Sequence, residues 1–366
     1  MTLTEAMQAG LKGRRIALVY SFPQAIDPPN RWYDRWKSRV IMSYGEALER
    51  INVLPFYCDI DSFIRQISAN QLPFLDAVIS LNAGVRPVSH FALVPAVSQW
   101  FQLPIVPCTA DVIMAGERKD LGNAIAKRAG LRIPTTYLRE QIDSAREART
   151  IIVKPRDLGG SYGLKRISGG ELADEDFAQG RIVQDFVSGF DVTIPVFVNS
   201  INGKLVVADA TVYSPSSTEP AEWIYDRGAK EAYVGGTGVA SVDRIQVPLE
   251  KCAKEKIRAF ASMIGVDCFA RIDFRIEAAN VGSLRSISAD RLAFIEINPM
   301  PTVCTGLAFV ESIRAWAMRN LSSRGQGLGH SLDLADDYDI IAYVLGHALW
   351  GQLGPSKMND RNQVGS

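Results

Sequence analysis

Arg271-Ile272-Asp273-Phe274-Arg275 and, beyond a polar linker, Phe294-Ile295-Glu296-Ile297-Asn298-Pro299 are two stretches that read as buried strands, each with a carboxylate among apolar residues. A charge on a mostly apolar strand is costly to bury unless it is paired or bound to metal. Strand alternation puts Asp273 on the face of Arg271 and Arg275, and Glu296 on the face of Asn298. Paired as a hairpin, the strands bring together two carboxylates and an amide oxygen, a hard-oxygen set that suits magnesium holding substrate phosphates. A salt bridge on an exposed sheet face is the alternative, and these residues alone leave both open.

Upstream, Ile151-Ile152-Val153-Lys154-Pro155 reads as a strand that runs into Gly159-Gly160-Ser161-Tyr162-Gly163. Successive N–H groups in a glycine-rich turn form an anion nest, and Lys154 adds a point charge beside it. The loop lacks the closing Gly-Lys-Ser/Thr of a P-loop, and it joins strand to strand where a dinucleotide fingerprint joins strand to helix. A glycine-rich hairpin with no ligand is the plainer alternative. Next come Gln184, Asp185, Phe186 and Val187, where an apolar strand opens into a short linker. Such a linker can offer a side chain and a backbone carbonyl to an adenine edge, and Asp191, seven residues after Gln184, can offer a carboxylate to a ribose diol. A strand, a turn and a solvated acid is the other reading.

The 366 residues suffice for two or three domains. Hydrophobic content of 47% and charged content of 22% are those of a globular protein. Formal net charge is zero, so nothing argues for nucleic acid or an anionic membrane as partner. No apolar run is long enough to span a bilayer, and residues 1–10 carry no signal-peptide core, so a cytoplasmic protein is expected. The five cysteines lack metal-site spacing and read as buried thiols, with Cys304 a candidate to line a pocket. His90, His330 and His347 are too scattered to form a cluster and read as structural.

Short apolar strands alternate with helical patterns from Arg14 to Pro107, predicting a parallel sheet covered on both faces. Helices are expected over 119–129, 249–264, 306–320 and 338–350, and a hairpin over 190–213 that turns at Asn202-Gly203. Residues 218–240 read as a mobile loop, and the aromatic- and arginine-rich segment 21–39 as either a substrate pocket wall or a surface loop. Arg86 follows the strand 77–81 at its carboxyl end, where α/β sheets bind ligands, and is a candidate substrate contact.

In this order and spacing the motifs resemble the ATP-grasp superfamily, most nearly its D-alanine–D-alanine ligase branch, over roughly residues 110–312. The resemblance implies an ATP-grasp fold, α/β (α+β), behind an N-terminal Rossmann-like parallel-sheet domain. It divides the chain into an N-terminal domain at 1–112, a central ATP-grasp subdomain at 113–190, a C-terminal ATP-grasp subdomain with the metal site at 191–321, and a linker, terminal helix and tail at 322–366. It implies that Lys119 and Lys154 hold ATP phosphates with the loop Gly159, Gly160 and Ser161. Gln184, Asp185, Phe186 and Val187 become the adenine hinge and Asp191 the ribose acid. Lys230 becomes the loop lysine that reaches the γ-phosphate, and Arg271 the oxyanion arginine. Asp273, Glu296 and Asn298 become ligands for Mg2+, two ions in the family, with Mn2+ as a substitute.

The resemblance fails where the D-alanine enzymes set their substrates. The first strand runs into Ser21-Phe22-Pro23 with no glutamate, the glycine-loop serine position is Gly160, and the lid tyrosine position is Glu231. After Asn298-Pro299 come Met300-Pro301-Thr302 and later Gly306-Leu307-Ala308, so Thr302 and Gly306 stand as substrate candidates. The expectation is an ATP-dependent carboxylate–amine ligase that passes through an acyl phosphate and joins small molecules other than two D-alanines, with a homodimer as the family arrangement. A catalytically silent ATP-binding protein is the alternative.

Overall fold

The computed structural model describes residues 3–21, 38–82, 91–157, 159–161, 163–215, 223–225, 242–277, 281–321 and 332–354. The first part of the chain folds as α1 (Glu5–Leu11), β1 (Arg15–Tyr20), α2 (Ser38–Arg50), β2 (Leu54–Asp59), α3 (Ile60–Ser68), β3 (Ala77–Leu81), α4 (Leu93–Trp100) and β4 (Ile105–Val106). The four strands form a parallel sheet in the order β2-β1-β3-β4. The run Ile16-Ala17-Leu18-Val19 is apolar throughout because both sheet faces are covered. Ile16 and Leu18 enter one core with α1 and α2, and Ala17 and Val19 enter another beneath α3 and α4.

Next come α5 (Ala110–Glu117), α6 (Lys119–Arg128), β5 (Thr136–Tyr137), α7 (Ile142–Arg146), β6 (Ile151–Pro155), β7 (Lys165–Ile167) and β8 (Arg181–Asp185). Strands β5, β8, β6 and β7 form a small antiparallel sheet in that order. The third sheet holds β9 (Phe190–Asn199), β10 (Lys204–Val207), β11 (Ala210–Pro215), β12 (Val242–Val247), β13 (Phe269–Ile276) and β14 (Leu292–Asn298). Its order is β12-β11-β9-β13-β14, with β10 also paired to β9. Helix α8 (Lys251–Ile264) packs on this sheet through Ala253, Ile257 and Phe260 and ends at Gly265, whose φ of 94° is left-handed. Helices α9 (Ala308–Asn320) and α10 (Asp337–Leu353) complete the chain.

The expected hairpin turns at Asn202-Gly203, but its return strand is broken. β10 ends at Val207, and β11 resumes pairing with β9 one register step out, as Thr211 opposite Thr193. At the break Asp209 is buried and ion-paired to Arg319 of α9. The last helix is more than the cover of a terminal segment. It is buried almost all round and packs with α1, α2 and β9 at the centre of the largest core. Helices α1 and α5 and strand β12 were not foreseen from spacing. Among the cysteines, Cys252 is exposed and the other four are buried, as expected of them. The segment 22–37, most of the 218–240 loop, His90 and His330 lie outside the described residues.

Candidate functional site

β13 and β14 do pair antiparallel, with Arg271 opposite Asn298 and Asp273 opposite Glu296. Strict alternation would place Phe294 on the face of Glu296, which would expose a large ring or bury a charge. A bulge resolves the conflict: the register shifts after Asp273, Phe274 faces Phe294, and Ile295 is the extra residue in β14. Phe294 thereby turns into the core against Phe260 and Phe274, at ring-centroid distances of 4.8 and 5.9 Å. Glu296 and Asn298 stay on the polar face beside Asp273.

Asp273 is the hub of that face. It accepts from Arg271 Nε at 3.0 Å and Nη2 at 2.8 Å, from Asn298 Nδ2 at 2.9 Å, and from Thr193 Oγ1 on β9 at 2.7 Å. Burial works against the charge on Arg271, but the facing Asp273 carboxylate more than offsets it and holds the guanidinium pKa above its ordinary value. Tyr213 on β11 stands on the same face, hydrogen-bonded to Thr193 and stacked on Tyr225 at 4.4 Å. Burial raises its pKa, so it is a neutral phenol that can donate a hydrogen bond.

Across from the hub sit two buried lysines. Lys119 opens α6, and its Nζ lies 3.4 Å from Glu296 Oε2. Lys154 lies on β6, and both ammonium groups are withdrawn from solvent. Burial, and then repulsion from Lys119, pushes the Lys154 pKa down to about 8, with Glu296 partly opposing. Two cations share one carboxylate here, an arrangement that an incoming polyanion would relieve. After Lys154 the backbone turns left-handed at Gly160 (φ 65°), Ser161 (φ 59°) and Gly163 (φ 66°), as an anion nest demands.

The linker between β8 and β9 is tied to β13 through Arg275. Gln184 is buried and donates through Nε2 to Thr136 Oγ1 at 2.9 Å, and Asp185 accepts from the Tyr137 hydroxyl at 2.8 Å. The Phe186 ring lies against the guanidinium groups of Arg166 and Arg275, at 4.6 and 4.8 Å. Val187 O accepts from Arg275 Nε at 2.5 Å, and Asp191 accepts from Arg275 Nη1 at 2.9 Å and from the Tyr225 N–H at 2.7 Å. Arg275 and Asp191 are Cα partners across β13 and β9.

Gly306 donates its N–H to Asp337 Oδ2 at 2.6 Å, and its carbonyl accepts from Arg244 Nη1 at 2.7 Å. Cys304 is fully buried, with its Sγ 3.3 Å from Ser43 Oγ. Thr302 is half-buried in the segment after β14. Lys230 and Arg86 lie outside the described residues. Sequence reasoning missed Thr193, Tyr213 and the many bonds of Arg275. The available signals were a hydroxyl within the apolar run Phe190–Phe197 and a second arginine on the Asp273 face.

Among the described residues no three His, Cys, Asp or Glu side chains gather as a metal cage. Asp273, Glu296 and Asn298 do fit a divalent ion shared with a phosphate ligand. Two carboxylates stand opposite each other, and Asn298, donating through Nδ2, keeps its amide oxygen as a ligand atom.

The pattern of the ATP-grasp domain family matches residues 118–304, just over half of the 366-residue chain. The chain belongs to the ATP-grasp family. Solved ATP-grasp-fold structures resemble it along nearly their whole length. The VanG D-Ala:D-Ser ligase of Enterococcus faecalis matches with a TM-score of 0.57 at 13% identity, covering 91% of this chain and 99% of that one. The D-alanine–D-alanine ligase of Bacillus anthracis complexed with ATP matches with a TM-score of 0.59 at 11% identity, covering 95% and 99%. The D-alanyl-alanine synthetase A of Vibrio cholerae matches with a TM-score of 0.60 at 12% identity, covering 93% and 99%. At these identities the likeness is one of ATP-grasp fold. No curated protein sequence matches the chain. Among the described residues no helix is long and apolar enough to cross a membrane.

Proposed function

We propose that this ATP-grasp protein is an ATP-dependent carboxylate–amine ligase, releasing ADP, whose substrates are small molecules other than two D-alanines. The observation that carries the reading is the pair of buried lysines, Lys119 and Lys154, set against Glu296 beside the Arg271–Asp273–Asn298 cluster. Such a site has a cationic wall for a triphosphate and hard-oxygen ligands next to it. In this reading Gln184 to Val187 take the adenine, Asp191 the ribose, and Gly159 to Ser161 the phosphates. Lys230 reaches the γ-phosphate from its loop. Asp273, Glu296 and Asn298 hold magnesium, which when bound neutralises charge on the transferring phosphoryl group.

The acid's carboxylate oxygen attacks the γ-phosphorus, ADP leaves, and an acyl phosphate forms. The amine then adds to the acyl carbon, phosphate departs, and the nitrogen loses a proton. Arg271 donates to the oxyanion that develops on the acyl oxygen, and Asp273, with its bonds from Thr193 and Asn298, holds the guanidinium in place. Arg86, Thr302 and Gly306 are the candidates for substrate contact. The reading divides the chain at residues 112, 190 and 321 and has it act in the cytoplasm, as a homodimer.

Incubation with ATP, magnesium and pooled acids and amines tests the reading. ADP release that requires both an acid and an amine, with a new mass equal to their sum less water, supports it. Tight magnesium-ATP binding without turnover in any pool contradicts the ligase, and absence of ATP binding contradicts the nucleotide site.

A further inference from the structure

We infer that Arg275 is the positioning residue of the nucleotide hinge: one guanidinium locks together the linker that reads the base, the acid that meets the ribose, and the segment 223–225. The inference rests on the nucleotide reading above and adds to it a residue outside the lysines and the metal-ligand set. Arg275 is 4% exposed, and a buried guanidinium needs a partner for each of its donors. Here the partners come from three separate parts of the chain. Nε donates to Val187 O at 2.5 Å and Nη2 to Gly189 O at 2.5 Å, which fixes the linker. Nη1 pairs with Asp191 at 2.9 Å, and Nη2 also reaches Trp223 O at 2.9 Å. The flat face lies on the Phe186 ring.

A planar fork can make these in-plane bonds and stack at once, whereas a lysine ammonium cannot. Two of the bonds orient groups proposed to meet the nucleoside, Val187 and Asp191, those to Gly189 O and Trp223 O tie in the backbone on either side, and none touches the phosphate end, where Lys119 and Lys154 sit. Because Arg275 lies two residues beyond Asp273 on β13, it also ties the nucleoside end rigidly to the strand that carries the chemistry. A residue with this role affects the base and ribose contribution to binding and spares the triphosphate contribution. A residue that merely stabilises the fold weakens both together.

Calorimetric titration of the full chain with ATP and with tripolyphosphate, both with magnesium, separates the two. In the unaltered protein ATP binds more tightly than tripolyphosphate. In Arg275→Lys the ATP dissociation constant rises about tenfold, the effect of losing one net charge-assisted bond, while the tripolyphosphate constant stays the same. A folded variant with the original ratio of the two constants, whether both are unchanged or both weakened, overturns the inference. Should the variant not fold, hydrogen exchange on the unaltered protein decides. ADP, and not tripolyphosphate, is expected to slow the amides of Trp223–Tyr225 together with those of 187–191. Unchanged exchange at 223–225 on ADP binding overturns the inference. An unaltered protein that binds neither ligand overturns the nucleotide reading itself, and this inference with it.

Discussion

At the scale of single residues, the site is a balance of buried charge. Lys154 is the sensitive member, because burial and Lys119 together bring its pKa to about 8. An ammonium with a lowered pKa is charged below that value and neutral above it, and a bound polyanion drives the pKa back up. Triphosphate binding is therefore expected to weaken as pH rises through about 8, and to take up protons near that pH. Calorimetry in buffers of different ionisation enthalpy measures the uptake, and Lys154→Met should abolish it. Arg271 is the other informative residue. Once a substrate pair is in hand, Arg271→Gln should lower kcat roughly 100-fold or more, as loss of an oxyanion donor does, while the ATP dissociation constant changes little. A change confined to the ATP constant would place Arg271 at the nucleotide instead. Asp273, Glu296 and Asn298 were legible because a carboxylate in an apolar strand needs a reason. Thr193 and Tyr213 were not, since a threonine or a tyrosine in a strand needs none and their partners lie across the sheet.

At the scale of elements, two local features set the site. The bulge at Ile295 lets β14 bury Phe294 and still present Glu296 and Asn298. Period-two reading finds the acidic face of such a strand but not the extra residue, because a bulge depends on the partner strand's register. The second feature is the turn from linker to β9. Gly189 has a φ of 117°, and a Cβ there would collide with the carbonyl oxygen of Ile276 on β13. Gly189→Ala is expected to destabilise the fold by about 2 kcal/mol or more, through strain at positive φ and displacement of the β9–β13 edge. Thermal denaturation measures it, and a loss below about 0.5 kcal/mol, the range of neutral surface changes, would show that the turn relaxes freely. The hairpin at Asn202-Gly203 was readable from its turn residues. Its break at Ala208-Asp209 was not, because the burial of Asp209 against Arg319 is a contact between distant parts of the chain.

At the scale of the whole molecule, α10 joins the N-terminal parallel sheet to the sheet that carries the site. The sequence marked a last helix over 338–350, but only the fold shows that it is buried and what buries it. His347 on α10 packs against Phe197 and Tyr343, and its Nδ1 accepts from the Ser200 N–H at 3.2 Å. Burial lowers its pKa to about 4, below the ordinary 6.5. The unfolded chain therefore binds a proton that the folded one does not, so this contribution is complete above pH 6.5 and is lost as pH falls toward about 4. The loss is on the order of 3 kcal/mol, from about 1.4 kcal/mol for each pKa unit. Denaturant titrations between pH 7 and 4 measure the slope, and His347→Gln should flatten it.

The ligase chemistry has its most direct test in the fate of one oxygen. The acid that supports turnover is labelled with oxygen-18 in its carboxylate, and the released phosphate is examined by mass. Transfer of one labelled oxygen to each phosphate is expected, since an acyl phosphate keeps a carboxylate oxygen on phosphorus when the amine displaces it. Turnover that releases unlabelled phosphate would contradict phosphorylation of the carboxylate, and with it the central reading of the Lys119, Lys154, Arg271 and Asp273 site.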